Sequence, residues 1–273
     1  MSLPADPIVV GVALRDDDAP VLDLASELAD ATGAPLALVH AYPFQQLIAV
    51  PPPEWVEDLR SEAAAKLEAL AEPLRASGPV AALARPSPSP VRALHEAAEE
   101  LGARLLVAGS SHRGSAGRVV PGGVGERLLH AAPCAVAIAP RDYTRPPTGL
   151  RRIGVGFVDG PEGAEALALA GALARRSGAR VTTYTVVGDE PQGLAEILRK
   201  ARAGVPAELL DDTAVLHGAA ASELAAVSAG LDLLICGSRG YGPVRSLLLG
   251  GVTWELAHTA RCPLFVVPRA PDP

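Results

Sequence analysis

Lysine, cysteine and aromatic residues are scarce in this chain of 273 residues, and each scarcity excludes a class of protein. The lysines are Lys66 and Lys200, and neither follows a glycine-rich loop in the GxxxxGK[ST] pattern, which excludes a Walker-type phosphate site. The three cysteines form no CxxC pair, and no group of His, Cys, Asp and Glu has metal-ligand spacing. Because aromatic residues make up 3% of the chain, Ala, Val and Leu must build the core.

Long apolar runs and excess positive charge are also missing. No uninterrupted apolar stretch reaches the roughly 18–20 residues that a membrane-spanning helix needs, and the N-terminus has no charged-then-apolar signal pattern. The formal net charge of −7 argues against nucleic acid or an anionic membrane as a partner. Since the cysteines also lie in or beside apolar runs, we expect a reduced, cytoplasmic protein.

The second half of the sequence repeats the first. A strand-like run at residues 8–13, followed by a helical segment and a second strand, is matched by the same succession from residues 153–158. Near the end of each half, LLHAAPCAVAI at residues 128–138 is matched by LAHTARCPLFV at residues 256–266. The correspondence is ordered and spans nearly the whole of each half, which predicts two related domains in tandem.

Each half alternates strands with helices. The strands are short and apolar on both faces, as in a parallel sheet covered by helices, so we predict an α/β fold. The polar segment 141–150, which contains Pro146 and Pro147, separates a first domain at 1–144 from a second at 150–273. The predicted strands lie near residues 8–13, 36–41, 80–84, 104–108 and 135–139, then 152–158, 180–187, 213–217, 232–236 and 264–267.

Glycines cluster after the fourth strand of the second half, in the sequence GSRGYGPVRSLLLGG at residues 237–251. The pattern predicts a strand that ends at Gly237 and a helix that begins near Gly250. Backbone N–H groups at such a helix start are free to bind an anion, and glycine lets the main chain approach it closely. Ligands of such sheets lie at the carboxyl ends of the strands. The segment therefore predicts a phosphate site, which Arg239 and Arg245 are placed to neutralise.

This glycine pattern resembles the nucleotide-binding motif of the universal stress protein family in its tandem, two-domain form. The family motif is Gly, two residues, Gly, nine residues, then Gly and Ser or Thr. Here Gly237, Gly240 and Gly250 occupy the glycine positions, and Gly251 stands where Ser or Thr is usual. The sequence VDG at residues 158–160 matches the end of the family's first strand.

The resemblance implies a fold, a ligand and a set of contacts. The fold is two flavodoxin-like (adenine nucleotide alpha hydrolase-like) domains, each a five-stranded parallel sheet with helices on both faces, whose last strands pair across the domain interface. The ligand is ATP, or AMP or ADP, with Mg²⁺ as a companion. Asp159 and Val186 would hold the adenine, and Val252 and Thr253 would lie near the phosphates. The implied nucleotide-binding residues are Asp159, Gly160, Val186, Cys236, Gly237, Ser238, Arg239, Gly240, Gly250, Gly251, Val252 and Thr253.

The first half departs from the family pattern. Its corresponding positions are Gly109, His112, Gly122 and Gly123. His112 brings a Cβ and a ring to a place where backbone must pass close to phosphate. Leu14 aligns with Asp159, although an Asp at 16–18 approximates that position after a short shift, and Ala41 aligns with Val186. We therefore expect the first half to bind nucleotide weakly or not at all.

Three functions stay open at this point. The leading one is a non-enzymatic stress-response protein whose ATP occupancy biases its conformation or its choice of a protein partner, because no evident general base or nucleophile accompanies the phosphate loop. A slow ATPase is the second. A ligand-free interaction scaffold is the third, motivated by His112, Gly123 and Gly251. A homodimer is compatible with each of them.

Overall fold

The computed structural model describes residues 6–15, 17–42, 53–110, 123–188, 193–238 and 251–268. Within these ranges strands and helices alternate, except that β5 is followed directly by β6. The strands are β1 (Ile8–Gly11), β2 (Leu36–Tyr42), β3 (Val80–Pro86), β4 (Leu105–Gly109), β5 (Ala135–Ala139), β6 (Arg152–Gly156), β7 (Arg180–Val187), β8 (Leu210–His217), β9 (Leu233–Gly237) and β10 (Leu264–Val267). The helices are α1 (Ala19–Thr32), α2 (Pro53–Leu74), α3 (Pro90–Leu101), α4 (Gly123–Ala131), α5 (Pro161–Ser177), α6 (Leu194–Ala203), α7 (Ala220–Ser228) and α8 (Gly251–Thr259).

The described strands form one continuous sheet in the order β3-β2-β1-β4-β5-β10-β9-β6-β7-β8. Pairing is parallel inside each half, whose own strand order is 3-2-1-4-5, and antiparallel where β5 meets β10, with Ala137 opposite Phe265. The predicted α/β fold class and the predicted pairing of the two last strands are both confirmed. In each half the first and fourth strands are neighbours, which is the point where a ligand crevice forms in such sheets.

Small aliphatic residues fill the core on both faces of the sheet. Leu233 and Leu234 are consecutive in β9 and fully buried, yet they belong to hydrophobic clusters on opposite faces. Successive side chains in a strand point to opposite faces, so a strand that is covered on both sides must be apolar at every position. The expectation of an Ala, Val and Leu core therefore holds.

Equivalent glycines end equivalent helices in the two halves. Gly33 follows α1 with a φ of 76°, and Gly178 follows α5 with a φ of 74°. Their N–H groups donate to the carbonyls of Ala29 and Ala174 at 2.6 and 2.9 Å. Only glycine adopts this left-handed conformation at little cost, so each glycine stops its helix and returns the chain to the sheet.

The segment between the halves is fastened to α1 by a buried carboxylate. Glu27 is 2% exposed, and it accepts hydrogen bonds from Arg145 Nε at 2.9 Å and from the N–H of Leu150 at 2.8 Å. The N–H of Arg145 also donates to Asp23 Oδ2 at 3.2 Å. The division into domains at 1–144 and 150–273 stays a proposal.

Several strand boundaries differ from the prediction. β1 ends at Gly11 instead of 13 and β6 at Gly156 instead of 158, while β2, β4 and β9 differ by one residue. β3 runs to Pro86 instead of 84, and β8 begins at Leu210 instead of 213. In β8 the added residues include Asp211 and Asp212, whose composition does not predict a strand. Asp212 pairs with Thr182 of β7, and Asp211 lies at a register shift next to it. No helix within the described ranges is both long and apolar enough to span a membrane.

Candidate functional site

A cavity of about 440 Å³ opens at the carboxyl ends of β6, β7 and β9 in the second half. It lies where the first and fourth strands of that half are neighbours, as expected of a ligand crevice in a parallel sheet. The residues of the implied nucleotide set that line it are Asp159, Gly160, Val186, Cys236, Gly237, Val252 and Thr253. Residues up to 94 positions apart in the sequence (159 and 253) are thus brought to one cavity.

The turn after β6 carries Asp159 into the cavity wall. The N–H of Phe157 donates to the carbonyl of Tyr184 at 2.9 Å, which continues the β6–β7 ladder one residue past the strand. Pro161 then begins α5, where its missing N–H costs nothing. Gly163 in the first turn is required sterically, because a Cβ there would lie 1.9 Å from the carbonyl oxygen of Val158. The sequence reasoning did not single out this glycine.

Asp159 forms an ion pair with Lys200 of α6, with Oδ2 and Nζ 2.7 Å apart. Both side chains are partly exposed, and the hydrogen bond to Asp159 raises the pKa of Lys200. Ile197, one turn earlier on α6, lines the same cavity. α6 therefore contributes both an apolar wall and a charge at the site. Sequence reasoning used Lys200 only to exclude a Walker motif, and a pair 41 residues apart leaves no local signal.

At the opposite end of the cavity, Thr253 and Ser238 bond within the protein. Thr253 is 2% exposed and its Oγ1 donates to the carbonyl of Gly237 at 2.9 Å, which joins the start of α8 to the end of β9. The N–H of Ser238 donates to the carbonyl of Val267 at 2.8 Å and continues the β9–β10 ladder. That N–H is therefore engaged in the sheet. Val252 and Thr253 of the first turn of α8 line the cavity, and backbone N–H groups at the start of a helix have no partner within the helix.

Cys236 forms part of the apolar wall. It is 4% exposed, and burial raises the pKa of its thiol to about 12. The thiol is therefore neutral at physiological pH and acts as a small apolar group.

Part of the implied phosphate loop lies outside the described residues. Gly251 is the first residue of α8, and among the described residues no heavy atom outside its own helix lies within 4 Å of where its Cβ would be. The predicted residues outside the described ranges are Arg239, Gly240, Arg245 and Gly250.

The first half contains a similar cavity of about 420 Å³ at the carboxyl ends of β1, β2 and β4. Gly109 and Gly123 of the predicted weak site line it, and Ala41 lies in its wall where the second half has Val186. His112 and Gly122 lie outside the described residues. The scaffold of the site is thus present in both halves, and the halves differ in the residues that line it.

The loop after β1 is where the first cavity departs most from the second. Leu14, which aligns with Asp159, has a φ of 58°. Asp18 is 5% exposed and accepts hydrogen bonds from the N–H groups of Ala13 at 2.8 Å and Arg15 at 3.0 Å. Its carboxylate is therefore used to fold the loop. Of the Asp residues at 16–18, Asp18 thus does not stand in for Asp159.

Comparison with known proteins relates this chain to one protein family. A sequence model of the universal stress protein family matches residues 4–140 and 212–268. Universal stress proteins of Mycobacterium bovis and Mycobacterium tuberculosis are each 29% identical over 197 residues, which cover 64% of this chain and 68% of theirs. The crystal structure of a universal stress protein from Archaeoglobus fulgidus is similar with a TM-score of 0.76, at 20% identity over 98% of both chains. A putative universal stress protein from Pseudomonas aeruginosa gives a TM-score of 0.70 at 16% identity, over 97% of this chain and 93% of the other. At these identities the structural likeness shows a shared fold.

Proposed function

Because this chain belongs to the universal stress protein family, we propose that its second half binds ATP or another adenine nucleotide and that the protein acts as a non-enzymatic regulator in a stress response. One observation carries the proposal. Residues that match the family's nucleotide motif, among them Asp159, Val186, Gly237 and Val252, line a single cavity at the carboxyl edge of the sheet. Its volume falls within the range of roughly 300–1,000 Å³ that is usual for small-molecule sites.

The two ends of the cavity suit the two ends of a nucleotide. Phe157, Val186 and Ile197 offer apolar surface for a base, and the Asp159 carboxylate offers a hydrogen-bond acceptor beside it. Near Gly237, Val252 and Thr253 of the first turn of α8 line the cavity, and the free N–H groups and positive dipole end at a helix start favour an anion. We therefore place the adenine between β6, β7 and α6, and the phosphates at α8.

The chemistry of the wall supports binding over nucleophilic catalysis. The Cys236 thiol stays protonated because burial raises its pKa to about 12. The Asp159 carboxylate is paired with Lys200 and lies at the end that we assign to the base. We propose that occupancy of the site biases the conformation of the protein or its choice of a protein partner.

We propose weaker nucleotide binding, or none, in the first half. Leu14 provides no acceptor at the position of Asp159, and the neighbouring Asp18 carboxylate is bonded to two backbone N–H groups. On this proposal one nucleotide binds per chain.

Calorimetric titration with ATP, ADP and AMP, with and without Mg²⁺, tests the proposal. We expect one site per chain, and at least about 10-fold weaker binding in Asp159→Ala, since hydrogen bonds to a charged group contribute roughly 1.5–3 kcal/mol. Asp211→Ala is the matched control, because Asp211 lies on β8, near Arg180 of β7 and outside the cavity wall. Absence of binding at millimolar nucleotide contradicts the proposal and favours a ligand-free scaffold. Release of ADP at a stoichiometric or faster rate per minute, lost in Asp159→Ala, would instead identify an ATPase.

A further inference from the structure

Thr185 of β7 has a hydroxyl group that lacks a hydrogen-bond partner among the described residues. The residue is 4% exposed and lies in the wall of the second-half cavity, between Tyr184 and Val186. A buried hydroxyl without a partner destabilises the folded protein, so such groups are rare in native structures. The position of Thr185 at the cavity indicates where a partner for it can come from.

The first half shows how the equivalent position is satisfied within the protein. The N–H of Val12 donates to the carbonyl of Val39 at 3.0 Å, just as that of Phe157 donates to Tyr184, so His40 corresponds to Thr185. The Nδ1 atom of His40 lies 2.9 Å from the carbonyl oxygen of Val12. The polar group of His40 thus has a backbone partner, whereas that of Thr185 has none in the part of the chain that the structure describes.

Two neighbouring threonines have hydroxyl groups like that of Thr185 but do not line the cavity, so they serve as a comparison. Thr183 and Thr213 face each other across β7 and β8, and their hydroxyl groups also have no partner within the described part of the chain. Neither residue lines the cavity. Within the described residues, all three hydroxyl groups thus lack a hydrogen-bond partner. Thr185 differs from the other two because it lines the cavity, where a ligand can reach it.

We infer that the hydroxyl of Thr185 is a specificity contact of the proposed nucleotide site and forms a hydrogen bond with the polar edge of the purine base. The inference rests on the proposed function. Val186, the next residue, lies in the wall that we assign to the base, and Asp159 lies in the same wall. The Thr185 hydroxyl is buried behind the cavity surface, so the inferred contact requires the side chain to change its χ1 rotamer when the base binds.

The chemistry of the hydroxyl fits a base better than a phosphate. A hydroxyl both donates and accepts, so it can bond to a ring nitrogen or to an exocyclic amine of the base. The apolar surroundings of Thr185 make such a bond stronger than it is in water. Phosphate oxygens are better served by the N–H groups at the start of α8, at the other end of the cavity.

Isosteric removal of the hydroxyl gives the test, with two readouts. Thr185→Val, Thr183→Val and the wild type are compared in their Kd for ATP by calorimetry and in their Tm without nucleotide. We expect Thr185→Val to bind ATP about 3- to 10-fold more weakly, which is the loss of one hydrogen bond, and Thr183→Val to bind like the wild type. Without nucleotide, neither variant should have a lower Tm, since each loses an unpartnered buried hydroxyl. Thr185→Ser, which restores the hydroxyl, should bind within about 2-fold of the wild type.

The outcomes separate this inference from the proposed function. If the wild type binds ATP and Thr185→Val binds equally well, the contact is wrong and the nucleotide site stands. Equal weakening in Thr183→Val also overturns it, because a general change in the packing of β7 would then explain the loss. A lower Tm in Thr185→Val without nucleotide means that the hydroxyl has a partner inside the protein, which contradicts the inference. If the wild type binds no adenine nucleotide, both the function and the contact fall.

Discussion

Arg145 holds the segment between the halves against α1, and its replacement by methionine should destabilise the whole chain. Its Nε donates to Glu27 at 2.9 Å and its guanidinium also pairs with Asp30. The Glu27 side chain is 3% exposed, so Arg145→Met leaves a buried carboxylate with the N–H of Leu150 as its described hydrogen-bond donor. Breaking a buried ion pair in this way costs about 3–5 kcal/mol.

The expected loss is smaller than that because Arg145 is partly open to solvent. Its side chain is 34% exposed, so water replaces part of the lost interaction, and we expect a decrease of about 2–3 kcal/mol in the free energy of unfolding. For a chain of this length that corresponds to a fall in Tm of about 4–12 °C. Urea denaturation followed by circular dichroism measures the first quantity and calorimetry the second.

Arg199→Met is the matched control for Arg145→Met. Arg199 pairs with Glu196 at 2.6 Å on α6, and both side chains are more than half exposed. An exposed pair contributes about 0–1 kcal/mol, so this variant should stay within about 0.5 kcal/mol of the wild type. Equal stability losses in the two variants would refute the reasoning, since they would show that burial of Glu27 has no energetic consequence. So would a loss below about 1 kcal/mol in Arg145→Met.

Two further predictions concern Gly163, at the start of α5, and the pKa values of the three cysteines. Gly163→Ala should destabilise the chain by about 2 kcal/mol or more, because its Cβ would lie 1.9 Å from a backbone carbonyl oxygen. Gly78→Ala, which meets no atom within 4 Å, should be neutral in the same denaturation assay, and equal effects would contradict the steric argument. Burial raises the pKa values of Cys134, Cys236 and Cys262 from 9.0 to about 12, so the unfolded chain loses thiol protons first as the pH rises. The free energy of unfolding should therefore fall between pH 9 and 12, by at most about 1.4 kcal/mol per pH unit per thiol, and Cys236→Ala should reduce that slope.

The predicted strands were most accurate where local sequence determines them. β9 was expected at residues 232–236 and lies at Leu233–Gly237, because an apolar run buried on both faces is followed by glycine. The start of β8 was missed by three residues, because the added residues Leu210 and Asp212 join the strand through pairing with β7 and Asp211 lies at a register shift between them. A strand that is buried on both faces has an apolar composition that the sequence reveals. A strand at the edge of a sheet can be held by pairing alone, and its composition then does not predict it.

In the candidate site, too, some residues could be predicted from the local sequence and others could not. Asp159 and Val186 could be predicted because the family motif has a recognisable sequence, and both line one cavity, although their role as nucleotide ligands stays a prediction. Lys200, Gly163 and Thr185 were missed. Their importance depends on an ion pair across 41 positions, on a close approach to a carbonyl, and on a hydroxyl without a partner. These properties arise only when the chain is packed, so the spacing of residue types in the sequence does not predict them.

The two halves share a scaffold and differ at the end of the cavity that we assign to the base. In the second half the turn after β6 leaves Asp159 at the cavity, where Lys200 alone pairs with it among the described residues. In the first half Leu14 adopts a φ of 58°, a conformation that costs a non-glycine residue roughly 1–2 kcal/mol, and the carboxylate of Asp18 holds the loop that contains it. The loop is therefore built around its own carboxylate, and an Asp in place of Leu14 would still stand in that left-handed conformation. The proposed difference in nucleotide binding between the halves therefore does not rest on His112 at the second glycine position alone. On the proposed placement of the nucleotide, the difference in the loop after the first strand would weaken binding of the base instead of the phosphates.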